Sequence, residues 1–110
     1  FWASWCTPCR QSFPWMNEMQ SKYGGQGLQV LAINLDARTE DAQKFLAKQP
    51  VSFAVAFDSA AQTPLKYGVK GMPSSFLISR DGVVLAKHTG FKDSKRAELE
   101  LQIESALKSH

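Results

Sequence analysis

The chain has 110 residues, 44% of them hydrophobic, and a formal net charge of +3. That length makes one domain burying roughly two-thirds of its unfolded surface, so a hydrophobic core suffices without disulfide staples. Lys and Arg interleave with Asp and Glu and no run of like charge occurs, which speaks against a nucleic-acid surface and a membrane-binding basic helix. No apolar stretch approaches the ~20 residues of a membrane span, and no signal peptide is visible.

Phe1-Trp2-Ala3-Ser4 reads as the tail of a strand, so an N-terminal strand cut short is expected, with Phe1 and Trp2 in the core. Trp5-Cys6-Thr7-Pro8-Cys9 follows at the mouth of a helix expected over Pro8 to Tyr23, and it holds both cysteines of the chain. Phe13, Met16, Met19 and Tyr23 recur at helical spacing as its buried stripe, with Gln11, Asn17, Glu18 and Lys22 toward water. Pro8 suits the first turn, whereas Pro14 removes a hydrogen bond inside the helix and predicts a kink, near which Trp15 is expected to be exposed. Gly24, Gly25 and Gly27 end the helix.

Leu28 to Leu35 is nearly continuous in apolar residues, as a central strand covered on both faces would be. Thr39 then predicts a cap for a helix with Glu40 and Asp41 in its first turn, Ala42, Phe45 and Leu46 on its buried side, and Pro50 beyond it. Val51, Phe53, Val55 and Phe57 alternate with Ser52, Ala54 and Ala56 as a strand. A short helix around Ala60 to Tyr67 stops at Gly68. The loop Val69-Lys70-Gly71-Met72-Pro73-Ser74 leads to a strand over Ser75 to Ser79, and Asp81-Gly82 turns it into an antiparallel partner, Val83 to Thr89. Asp93 or Ser94 caps a last helix with Leu99, Ile103, Ala106 and Leu107 on one face. Strands alternating with helices and ending in a hairpin predict an α/β domain, a mixed sheet with helices on both faces.

Two thiols separated by two residues can close a small ring and reopen it with little backbone movement. A free cysteine, with a pKa of about 8.5, is mostly protonated near neutral pH, and a helix N-terminus stabilises the thiolate that attacks. Cys6 lies at that terminus, and Cys9, one turn in, is expected to be more buried. Cys6 would attack a partner disulfide and Cys9 would then release the partner, leaving Cys6 and Cys9 oxidised. A zinc site needs four ligands, and only His88, expected to be half-exposed in a strand, and the terminal His110 could add to the pair, neither at useful spacing. An inert structural disulfide is the other alternative. One Cys-x-x-Cys pair suits either a reducing or an oxidising compartment. Trp5 reads equally as a contact surface and as a core aromatic.

Phe-Trp-Ala-Ser-Trp-Cys-Thr-Pro-Cys-Arg at positions 1–10, Pro14, and Gly71-Met72-Pro73-Ser74 before a strand resemble the thioredoxin superfamily over nearly the whole chain. The extra helix and strand over about Thr39 to Phe57, before the proline loop, are similar to its TlpA-like, ResA-like and DsbE-like branch. The resemblance implies a thioredoxin-like fold in a single domain over residues 1–110. It implies Cys6 as nucleophile, Cys9 as resolving thiol, and a cis Met72–Pro73 bond beside the disulfide. Trp5, Thr7, Pro8, Met72 and Pro73 would support an extended substrate pairing in strand fashion. ResA-like proteins carry a glutamate where this chain has Ser12, DsbE-like ones an acidic residue where it has Ser74 and Ser75, and thioredoxin's buried aspartate would precede Phe1.

The function expected is a protein-disulfide reductase or thiol-disulfide interchange protein, a reductant in the bacterial periplasm or another extracytoplasmic space. It would be anchored, if at all, through a segment outside this chain, and would act as a monomer without cofactor or metal. Its partners would be disulfide or dithiol proteins and an upstream electron donor, with no nucleic acid and no membrane span of its own. A peroxiredoxin-like peroxidase is an alternative, although a Pro-x-x-x-Thr-x-x-Cys stretch cannot be matched. A copper or haem-delivery metallochaperone is another, although such proteins tend to a Cys-x-x-x-Cys spacing.

Overall fold

The domain is described by a computed structural model over residues 1–69, 71–90 and 92–108. Helix α1 (Thr7–Tyr23) and a short 3-10 turn lead to strand β1 (Leu31–Asn34), helix α2 (Thr39–Lys48) and strand β2 (Ala54–Phe57). Helix α3 (Gln62–Tyr67), strands β3 (Ser74–Ile78) and β4 (Val84–Thr89), and helix α4 (Asp93–Lys108) follow. β1 and β2 are parallel and joined by a helical crossover, whereas β3 and β4 form an antiparallel hairpin through a turn in which Gly82 takes φ +85°.

Residues 1 to 3 join the two halves. The Trp2 N–H donates to Ile33 O at 3.0 Å and the Leu35 N–H to Trp2 O at 2.8 Å, a parallel pairing with β1. On the other side the Phe1 nitrogen donates to the carbonyl of Ser74 in β3 at 2.9 Å. The expected mixed sheet is thus present as two two-stranded pieces bridged by the residues that lead into Cys6. Residues of β1, β3 and α4 also line an apolar groove of about 440 Å³, among them Leu31, Ile33, Phe76, Ile78 and Ile103.

The main core lies under the cysteines. Trp2, Ala3, Cys6, Cys9, Phe13, Ala32, Ala42 and Phe53 form one buried cluster. Phe13 is its hub, with its ring 4.7 Å from Trp2, 5.3 Å from Phe53 and 5.7 Å from Phe45, centroid to centroid. Edge-to-face contacts at this spacing add to the area buried and hold the base of α1 against the sheet. A second cluster of Met19, Tyr23 and Ile103 fastens the far end of α1 to α4, with Leu107 packed on it.

α1 continues through Pro14, which lies on its exposed side, to Tyr23. Several expectations change. Trp15, expected to be exposed, packs partly buried on the second cluster, which draws residues from α4, β3 and the segment before β1. β1 is half the expected length and not covered throughout, with Leu31 58% exposed at its start. Thr39 is the first residue of α2 and not its cap; Arg38 takes the cap position and makes no side-chain capping bond. Phe57, expected on the bulky buried face of its strand, is exposed at the end of β2. Met16 is half-buried and Ser12 takes a buried place on α1 instead. The Asp93 side chain, Lys70 and His110, each named in a sequence expectation, lie outside what is described.

Candidate active site

Cys6 is the N-cap of α1, with extended backbone, and its Sγ accepts the N–H of Cys9 at 3.3 Å. A Ser or Asp side chain makes the same bond at an N-cap, satisfying one of the orphan amides of the first turn. Pro8 brings no N–H to that turn, so the amides facing the sulfur are few and Cys9 supplies the aimed one. The Arg10 N–H bonds Cys6 O at 3.1 Å as the helix begins. Cys6 and Cys9 are joined as a disulfide with Cα atoms 5.3 Å apart. Cys6 is 6% exposed and Cys9 is wholly buried, so Cys6 is the less enclosed of the two.

Trp5, next to Cys6, is 68% exposed, which decides its two readings in favour of a surface. Thr7 and Pro8 are also exposed, and Thr7 Oγ1 accepts from Arg10 Nη2 at 3.2 Å. Met72 packs on the cluster that contains both cysteines, and Pro73 is buried behind a cis Met72–Pro73 peptide bond. The loop and the Cys-x-x-Cys turn, 63 residues apart from Cys9 to Met72 by their numbers, therefore share one core. Ser12, where a ResA-like protein would carry its glutamate, is buried and donates to the carbonyl of Cys9 at 2.6 Å. His88 is half-buried in β4 and pairs with Gln102 of α4 at 2.8 Å, far in role from the cysteines. Among the described residues no group of three or more His, Cys, Asp or Glu side chains converges as metal ligands would.

Sequence reasoning missed Asp36 and its partners. Asp36 is 2% exposed, just past β1, and its carboxylate accepts from the Ser4 N–H at 2.8 Å, the Ser4 hydroxyl at 2.7 Å and Asn34 Nδ2 at 2.7 Å. The available signal was Asn34-x-Asp36, two polar residues closing an apolar strand at its carboxyl end, where α/β domains build their sites.

A disulfide capping a helix that leaves the middle of a mixed sheet, with a buried proline loop on the same core, defines a thioredoxin-like domain. The chain belongs to the Redoxin family, whose profile matches residues 1–103. It is similar to the thiol-disulfide oxidoreductase ResA of Bacillus anthracis, 34% identical over 98 residues that make 89% of this chain and 57% of that protein. ResA of Geobacillus thermodenitrificans is 36% identical over 82% of this chain and 52% of its own length. The chain thus spans little more than half of these curated relatives. A crystal structure of a candidate thiol:disulfide interchange protein DsbE from Chlorobium tepidum superposes with a TM-score of 0.96 at 64% identity, covering 97% of this chain and 76% of that one. A candidate thioredoxin from Neisseria meningitidis, at 24% identity and a TM-score of 0.86 over 98% of this chain and 71% of its own, shares the fold.

Proposed function

We propose that this domain is a thiol-disulfide oxidoreductase in which Cys6 attacks and Cys9 resolves. The observation that carries the reading is the Cys6–Cys9 disulfide at the N-cap of α1, with Cys6 the less buried of the two and Cys9 wholly buried. In the reduced protein the Cys6 thiolate attacks one sulfur of a partner disulfide, forming a mixed disulfide and releasing the other partner sulfur as thiolate. Cys9 then loses its proton and attacks the Cys6 sulfur, the second partner sulfur leaves, and two electrons have passed to the partner. The family and the ResA-like and DsbE-like similarity support this chemistry.

Trp5, Thr7, Pro8, Met72 and Pro73 form the surroundings a partner would meet, with Trp5 as an exposed apolar contact. The direction we favour is that of a reductant in a bacterial extracytoplasmic space, charged by an upstream dithiol protein, with the whole chain acting as one domain. No helix among the described residues is long and apolar enough to cross a membrane.

The test is catalysed reduction of insulin by dithiothreitol, with Cys6→Ser beside the wild type. Loss of catalysis in the variant is expected; equal rates would sink the proposal. Equilibration with glutathione then gives the direction, a potential of about −270 mV marking a reductant and about −120 mV an oxidant.

A further inference from the structure

Two bonds hold Ser4 to the end of β1, and neither cysteine takes part in them. The Ser4 N–H reaches Asp36 Oδ2 at 2.8 Å and the Ser4 hydroxyl reaches Oδ1 at 2.7 Å, so one residue engages both carboxylate oxygens. Asn34, 1% exposed, donates through Nδ2 to Oδ2 at 2.7 Å and accepts the Asp36 N–H through Oδ1 at 3.0 Å. All three groups bonded to the carboxyl of Asp36 are neutral donors.

The residues after Ser4 are the reason this matters. Ala3, Ser4, Trp5 and Cys6 make a turn closed by the Cys6 N–H to Ala3 O bond of 3.1 Å. Ala3 is wholly buried while Trp5 is 68% exposed, so the turn leaves the core at Ser4. Of its two middle residues, only Ser4 is tied to the sheet. The sulfur of Cys6 must sit where the Cys9 N–H points, and its place is set by where the turn ends.

Resting on the oxidoreductase reading, we propose that Asp36, through Ser4, is a positioning residue that holds the turn Ala3–Cys6 so that the Cys6 sulfur stays at the N-terminus of α1. Misplacement of a reacting atom by even 1 Å is costly, which sets the scale of the effect.

The test compares Ser4→Ala, Ser4→Thr and Asp36→Asn in the full chain. Insulin reduction is read as kcat/KM, and Cys6 reactivity as the pH profile of alkylation in a Cys9→Ser background. Ser4→Ala and Asp36→Asn are expected to lower kcat/KM roughly tenfold. Ser4→Ala should also move the alkylation profile toward that of a free cysteine, and Ser4→Thr, which keeps both donors, should retain both properties. Wild-type kcat/KM and an unmoved profile in Ser4→Ala would overturn the proposal and leave the clamp as a structural bond only. If wild-type protein reduced no insulin, the activity reading would fall, yet the alkylation profiles would still decide the clamp. Should Asp36→Asn fail to fold, the two Ser4 variants carry the decision.

Discussion

Reduced Cys6 should be about half thiolate near neutral pH. The perturbation is Cys9→Ser, which leaves Cys6 as the single thiol and retains the backbone N–H of residue 9. That N–H lies 3.3 Å from Cys6 Sγ, and a hydrogen bond to a charged group contributes about 1.5–3 kcal/mol. The N-terminal end of α1 adds about 0.3–1 kcal/mol for a negative charge at its first turn. Burial works the other way, since Cys6 is only 6% exposed and the thiolate loses most of its water. The two gains together come to about 2–4 kcal/mol and burial takes back part of them, so a net gain of about 2 kcal/mol is the expectation. At about 1.4 kcal/mol per factor of ten, the thiolate-to-thiol ratio rises roughly 30-fold. A free cysteine near pH 7 is about 3% thiolate, so Cys6 should be about half thiolate there. The assay is the rate of iodoacetamide alkylation against pH, checked by the ultraviolet absorbance of the thiolate. Salt screens the dipole more than the N–H bond, so the midpoint should move little with ionic strength. A midpoint at or above about pH 8.5, where a free cysteine lies, would refute the reasoning.

Phe13→Ala should cost about 3–5 kcal/mol in denaturant unfolding, because Phe13 is 1% exposed and the hub of the aromatic cluster; a loss below about 1 kcal/mol would show that the cluster collapses to fill the gap. Trp5→Ala should leave stability within about 0.5 kcal/mol, given its exposure, while lowering kcat/KM several-fold on a protein disulfide and little on a small one. An equal loss on both substrates would deny Trp5 a contact role. At the α1–α4 junction, the bond from Lys22 and then that from Tyr23 hold the Glu100 carboxyl below the ordinary carboxylate range. A depressed folded value means stability that is full above the ordinary range and lost as pH falls through the folded one, so Glu100→Gln should flatten the acid limb of the denaturation midpoint against pH. The bonds to Glu100 and then Glu104 push the Tyr23 phenol well above the ordinary tyrosine range. Its contribution is therefore full below that range and lost as pH rises beyond it, and Tyr23→Phe should flatten the alkaline limb.

The features legible in the sequence are the local ones. The Cys-x-x-Cys turn and the helix behind it follow from spacing and from Pro8 at the first turn, and the disulfide sits where that spacing placed it. The apolar face of α4 is legible in the same way, since Ile103 and Leu107 repeat at helical period and do pack on α1. Expectations failed where a distant element decided the outcome. Trp15 lies off the stripe of Phe13 and Met19, and its burial comes from a cluster to which α4 brings Ile103 and Leu107. Leu31 belongs to an apolar run, yet its exposure depends on what covers its face of the strand, which the run does not encode. Thr39 has the chemistry of a cap, but the chain enters α2 one residue earlier at Arg38. The Ser4–Asp36 bonds span 32 positions and join two residues whose types alone are unremarkable in a loop and at a strand end.

The fate of the Cys9 proton ties these points together. Cys9 is wholly buried, and Ser12, the residue one turn on, spends its hydroxyl proton on the Cys9 carbonyl at 2.6 Å. Asp36, the buried carboxylate among the described residues, is engaged by Ser4 and Asn34 rather than by either sulfur. A buried thiol with no carboxylate bonded to it is slow to ionise in the resting protein, because desolvation disfavours the charged form. The exchange we propose would change that balance. Attack by Cys6 would release one partner sulfur as a basic thiolate close to the pair, and that thiolate would take the proton Cys9 must lose. The acceptor would then arrive with the substrate, and Cys9 would stay protonated until a partner binds. The division fits the geometry: an aimed amide and a helix terminus serve the outer sulfur, while the inner one is buried beside a Ser12 hydroxyl that donates to the Cys9 carbonyl.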